Sequence, residues 1–197
     1  MRSARRTRLT LEARREVLRQ RLCKARTTML LASPFYGVLA TSLRIEIDAD
    51  DAECTAWTDG QQMCFGLGYC EGVSDRHLTG LIAHEVLHVA NLHPLRMKGR
   101  DPGRWNRACD YAINGVLTSA GYALPDGALL NPAFEGWSAE RIYGSLAGEP
   151  DTSDRPARGQ PGAVRAPAAS SGASVQALER KLRATVGRAI KAAKRAG

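Results

Sequence analysis

Apolar residues at Leu11, Leu18, Leu22, Ala25 and Met29 recur seven, four, three and four positions apart, which stacks them on one face of a helix. Thr10 is positioned to cap that helix, its arginines fall mostly on other faces, and Ser33-Pro34 ends it. Leu43 to Asp48 alternates apolar and polar, the period of a half-buried strand. Residues 54–58 and 61–67 read as two further strands meeting at Asp59-Gly60, a dipeptide suited to a tight hairpin. After Ser74, a helix N-cap, the run from Leu78 to Leu92 is long and apolar enough for a buried helix that Pro94 stops. Asp101-Pro102 opens another, running to about Ala120 and closed by Gly121, and Ser138 caps a short one over 138–146. The pattern predicts an α+β fold: a small, mostly antiparallel sheet packed on helices.

Composition then divides the chain. Residues 149–173 hold Pro150, Pro156, Pro161 and Pro167 among Gly, Ala and Ser, the signature of a flexible linker. Beyond it Val175, Leu178, Leu182, Val186 and Ile190 trace one face of a basic helix. The expected organisation is a domain over 1–148, a linker over 149–173 and an amphipathic helix over 174–197. At 197 residues and 21.3 kDa there is room for one real core but not for two full domains.

The net charge of +8 is unevenly spread. Residues 1–26 carry 10 basic and 2 acidic side chains, residues 27–150 carry 8 and 15, and residues 151–197 carry 10 and 3. Any phosphate or membrane-surface argument therefore concerns two basic arms, not the acidic centre. Five cysteines (Cys23, Cys54, Cys64, Cys70 and Cys109) without a CxxC pair suggest neither a disulfide framework nor a thiolate zinc knuckle. With no secretory h-region and no apolar run of membrane-spanning length, the expectation is a cytoplasmic protein without a membrane partner.

The chemistry is concentrated in Leu81-Ile82-Ala83-His84-Glu85-Val86-Leu87-His88-Val89-Ala90. On a helix, residues four apart project from one face, so His84 and His88 offer a bite suited to one zinc ion. Glu85 lies about 100° round from His84, where it can serve a metal-activated water as general base. Three polar side chains in so apolar a helix are costly unless a metal satisfies them. His93 is nine residues beyond His84, which on a continuing helix is about 180° away, so it is not the expected third ligand. Asp110 is: Asn106, Asp110 and Asn114 form a polar stripe at four-residue spacing on an otherwise apolar helix face. Asn114, and by the same stripe Asn106, would support the histidines by hydrogen bonding. The competing reading pairs Asp110 with Arg107 or Arg104 as a structural ion pair, and Cys109 reads as packing.

Together these residues resemble the zinc metallopeptidase-type domain that precedes von Willebrand factor A-like domains in longer bacterial and phage proteins. The matching segments are Thr58-Asp59-Gly60, HEVLHVA with His93 and Pro94, WNRACDYAIN from Trp105, GYALPDGALL from Gly121 and WSAERIY from Trp137. The resemblance implies a zincin-like core of the gluzincin style, with two zinc histidines on one helix and an acidic ligand on the next. It also implies that the basic C-terminal helix begins the region which leads, in longer members, to the A-like domain and to AAA+ ATPase partners; the sequence here ends at that helix.

These readings converge on a zinc-dependent endopeptidase with His84, His88 and Asp110 as metal ligands and Glu85 as base. A protein or peptide substrate would lie extended along a sheet edge, with the strand at 61–67 the expected one. Tyr111, Tyr122, Tyr143 and Arg104 are all candidates to stabilise the oxyanion. The alternative is a nucleic-acid-associated protein whose arms neutralise phosphates while its zinc site is structural or vestigial. A further reading makes the arms solvated tails or the binding surface for an acidic partner protein.

Overall fold

The computed structural model describes residues 9–148, 162–167 and 172–196. Helix α1 (Leu11–Ala32) starts where the Thr10 side chain accepts the Ala13 N–H at 3.2 Å, and it buries Leu18, Leu22, Ala25 and Met29. Leu11, expected on the same face, is left at the surface. Pro34 does more than end α1, because its fixed φ opens a second helix, α2 (Pro34–Ser42), packed back against the first.

The sheet differs from the expected one. Its strands β1 (Arg44–Asp48), β2 (Ala56–Thr58) and β3 (Gln62–Gly66) are ordered β1-β3-β2. β2 and β3 form the antiparallel hairpin read from Asp59-Gly60, but β1 runs parallel to β3, so the sheet is mixed rather than mostly antiparallel. The cause is the long connection over 49–55, wide enough to span the roughly 10 Å of two strand spacings and leave a place for β3 between β1 and β2. β3 is thus the central strand and has no free edge. The edge beside the site belongs to β2.

From β3 the chain turns through a short helix, α3 (Leu67–Gly72), into α4 (Asp75–Ala90), whose first turn is capped by the Ser74 hydroxyl accepting from His77 N–H. α4 is buried on nearly every side, with α1, α2, β2 and α6 (Pro102–Ser119) packed around it. A one-turn helix, α5 (His93–Arg96), separates α4 from α6. α7 (Ala139–Ser145), capped by Ser138, packs on α6.

The last helix, α8 (Gly172–Ala196), is not a detached appendage. It lies along α2 and buries Thr185 together with Leu178, Leu182 and Ala189, the last three joining the main core, while Ile190 stays exposed. Residues 162–167, inside the expected linker, also pack on the domain; the rest of that linker lies outside the described residues. Several arginines of the N-terminal arm are engaged internally. Arg14 pairs with Glu71 at 2.5 Å, and Arg21 pairs with Asp75 at 2.8 Å while donating to the Cys70 and Val73 carbonyls. No helix among the described residues is long and apolar enough to cross a membrane.

Candidate metal centre

α4 and α6 cross so that one turn of each faces the other. His84 Nε2 and His88 Nε2 are 2.8 Å apart, and Asp110 Oδ1 lies 3.5 Å from the first and 3.2 Å from the second. All three side chains are buried to within 1% of complete. Donor atoms around one tetrahedral ion with bonds of about 2.0–2.1 Å stand about 3.3 Å apart, so the triangle is of coordination size.

Hydrogen bonding fixes which nitrogens face the centre. Asn114 Nδ2 donates to the Leu129 carbonyl at 3.0 Å, leaving its Oδ1 to accept from His84 Nδ1 at 2.8 Å. An amide oxygen only accepts, so His84 carries its proton on Nδ1 and turns a bare Nε2 inward. His88 Nδ1 meets His93 Nδ1 at 3.0 Å; with His88 as donor, its Nε2 is bare as well. Two lone pairs thus converge on a carboxylate with no donor between them.

The carboxylates state the same need. Both oxygens of Asp110 and both of Glu85 are buried without a hydrogen-bond partner. Such groups are costly unless a cation compensates them. Burial pushes the Glu85 carboxyl up to about 8; the pull of His84 opposes this and the charge of Asp110 adds to it. Burial and the neighbouring His84 hold His88 down to about 4 against the pull of Asp110. His84 itself is raised, because Asp110, Glu85 and Asn114 together outweigh the burial that opposes its charge. Two imidazoles this close cannot both be protonated, and a cation that takes both Nε2 lone pairs answers the same electrostatic demand. The residues therefore fit a divalent ion on donor chemistry, spacing and unsatisfied charge alike.

His93 reaches this site by a route that spacing alone does not reveal. The chain leaves α4 through Leu92 in the left-handed conformation (φ 56°), which reverses its direction before α5 begins. His93 is thereby folded back onto His88 instead of continuing round the helix to the opposite face. Burial first, then His88 and Arg96, keep it far below the usual histidine range, and Trp105 Nε1 donates to its carbonyl at 3.3 Å. Asn91-Leu-His-Pro was the available signal: an asparagine at the helix end and a proline at position two of the next turn.

The other expected residues lie as follows. Among the described residues Asn106 makes its hydrogen bonds to the backbone of residues 162 and 164, not to a histidine. Arg104, one of the two arginines weighed as a partner for Asp110, donates instead to the Tyr143 hydroxyl at 2.6 Å. Tyr122 packs on Tyr36 and Tyr111 on Phe134. Cys109 comes within ligand spacing of His88 and His93, but burial pushes its thiol up, and it packs with Trp105, Ala139 and Val164. A further grouping, Asp48, Cys54 and Cys64, is formed by β1, the 49–55 connection and β3.

These features define a class, a helical α+β domain with a buried His-His-Asp centre and an adjacent glutamate. A family model described as "Putative metallopeptidase domain" matches residues 18–197, and the chain belongs to that family. The match includes α8, in keeping with the packing of that helix in the core. No curated protein and no solved structure matches the chain.

Proposed function

We propose that the chain is a zinc-dependent endopeptidase with a zincin-like arrangement of the gluzincin type. His84, His88 and Asp110 hold the ion and Glu85 is the general base. Bound there, zinc would supply Lewis acidity to a water molecule and to a peptide carbonyl. The protein's own groups do the rest. Asn114 and His93 lock the two imidazoles with their lone pairs inward, so no reorientation is needed when the ion enters. Glu85, in a pocket that raises its proton affinity, takes the proton from the attacking water and passes it to the departing amine.

The observation that carries this reading is the convergence of two bare Nε2 atoms and an unpartnered carboxylate within 3.5 Å, beside a second carboxylate with nothing to bind. A purely structural zinc site has no use for that second carboxylate. The test is zinc content and hydrolysis of an unfolded protein such as casein. Glu85→Gln is expected to keep one zinc per chain and lose turnover by about 10²-fold or more. Asp110→Ala is expected to lose zinc. Full zinc occupancy in Asp110→Ala would remove the aspartate from the ligand set, and full turnover in Glu85→Gln would remove the base.

A further inference from the structure

A stretch of the chain's own backbone lies across the metal centre. A Cβ at Gly162 would stand 2.1 Å from His84 Nε2 and 3.1 Å from Glu85 Oε1, and Gly162 has φ +90°, so only glycine fits there. The next residues add to the free edge of β2: Thr58 N–H donates to the Ala163 carbonyl at 3.0 Å, and Arg165 N–H donates to the Thr58 carbonyl at 2.9 Å, in parallel pairing. From the opposite wall the Asn106 side chain grips the same segment twice. Its Oδ1 accepts from Val164 N–H at 2.8 Å and its Nδ2 donates to the Gly162 carbonyl at 3.4 Å. The Val164 side chain is buried against Trp105, Cys109 and Ala139, and the Arg165 guanidinium lies 4.2 Å over the Trp57 ring.

Main-chain pairing to a sheet edge, combined with pockets for individual side chains, is how proteins bind extended peptides. We propose that Thr58, Asn106, the Val164 pocket and the Trp57 face form the peptide-binding groove of the metal centre, and that residues 162–165 hold it in cis. The groove accepts an extended segment with a very small residue beside His84 and Glu85, an aliphatic residue two positions on, and a cationic one next. Asn106 is a positioning residue that clamps substrate backbone. The segment is tethered at both ends to the folded domain, through α7 and α8, so a free peptide competes with an effective concentration of order mM. The resting chain is therefore self-blocked. This assignment rests on the metallopeptidase reading for its consequence, but the groove itself can be tested without turnover.

The probe is a fluorescein-labelled decapeptide with the sequence of residues 159–168, GQPGAVRAPA, titrated by anisotropy against the full chain. Two variants dislodge the internal segment by different means: Gly162→Leu by collision with His84, and Val164→Asp by burying a charge. Both are expected to bind the peptide at least about ten-fold more tightly than the wild type. Adding Asn106→Ala to either should cancel most of that gain, and a peptide with Asp in place of Val should not bind. If neither variant, shown folded by circular dichroism, binds better than wild type, the groove assignment falls. If zinc binds and casein is cleaved equally by wild type and both variants, the hydrolase reading stands and self-blocking falls. If peptide binding rises as expected but no zinc binds, the groove stands and the hydrolase reading falls.

Discussion

Asn114 leaves His84 almost no freedom. Its amide is oriented by the Leu129 carbonyl, and that orientation dictates the tautomer of the imidazole. Replacing it with alanine leaves His84 Nδ1 without an acceptor and lets the proton move to Nε2, the atom needed by a metal. Asn114→Ala should weaken zinc binding about 10–100-fold in a chelator competition, while Asn114→Asp, which keeps an acceptor oxygen, should lose much less. Periodicity made His84 with His88 and Asp110 with Asn114 legible in the sequence, because four-residue spacing is a geometric statement once a helix is granted, and Glu85 followed from its place about 100° round from His84. It failed for His93, since the calculation assumes an unbroken helix and one left-handed residue at Leu92 invalidates it. It misdirected Asn106 for another reason: a helix face can be read from the sequence, but not what lies opposite that face.

At the level of elements, the loop that carries Leu129 is held against α4 by a contact only glycine permits. A Cβ at Gly80 would stand 1.9 Å from the Ala123 carbonyl oxygen. Gly80→Ala forces α4 and this loop apart, with an expected loss of about 1–3 kcal/mol in denaturant unfolding. Because the same loop supplies the acceptor that orients Asn114, zinc affinity should fall too. Gly115 on α6 is the control, as a Cβ there meets nothing within 4 Å. Gly115→Ala should stabilise the protein by about 0.5–1 kcal/mol through helix propensity alone. Helix starts were the most readable elements, since Thr10, Ser74, Asp101 and Ser138 all accept from a backbone N–H of the first turn. The direction of β1 was not readable, because it depends on the span of a connection rather than on any alternation within the strand.

For the whole molecule, α8 belongs to the folded core rather than to an appendage. Leu182 is 3% exposed and sits in the main core with Leu178 and Ala189, so Leu182→Ala should cost about 2–5 kcal/mol. Thermal unfolding of that variant, followed by both far-ultraviolet dichroism and tryptophan fluorescence, should remain a single transition at a lower midpoint. A separate early transition confined to helix signal would mark α8 as an independent appendage. Charge is likewise settled at this scale: the basic N-terminal arm and the acidic centre are partly each other's partners, as Arg14 with Glu71 and Arg21 with Asp75 show. The amino-acid sequence alone determined the longer helices, most of their caps and the polar groups that α4 and α6 commit to buried positions, because these follow from spacing and local hydrogen bonding. Tertiary structure alone decided the company those groups keep: the return of His93 onto His88, the order of the strands, the docking of α8, and the passage of Gly162 across the centre. Such contacts join residues far apart in the chain, and their free energy depends on which surfaces meet, a quantity that no local window contains.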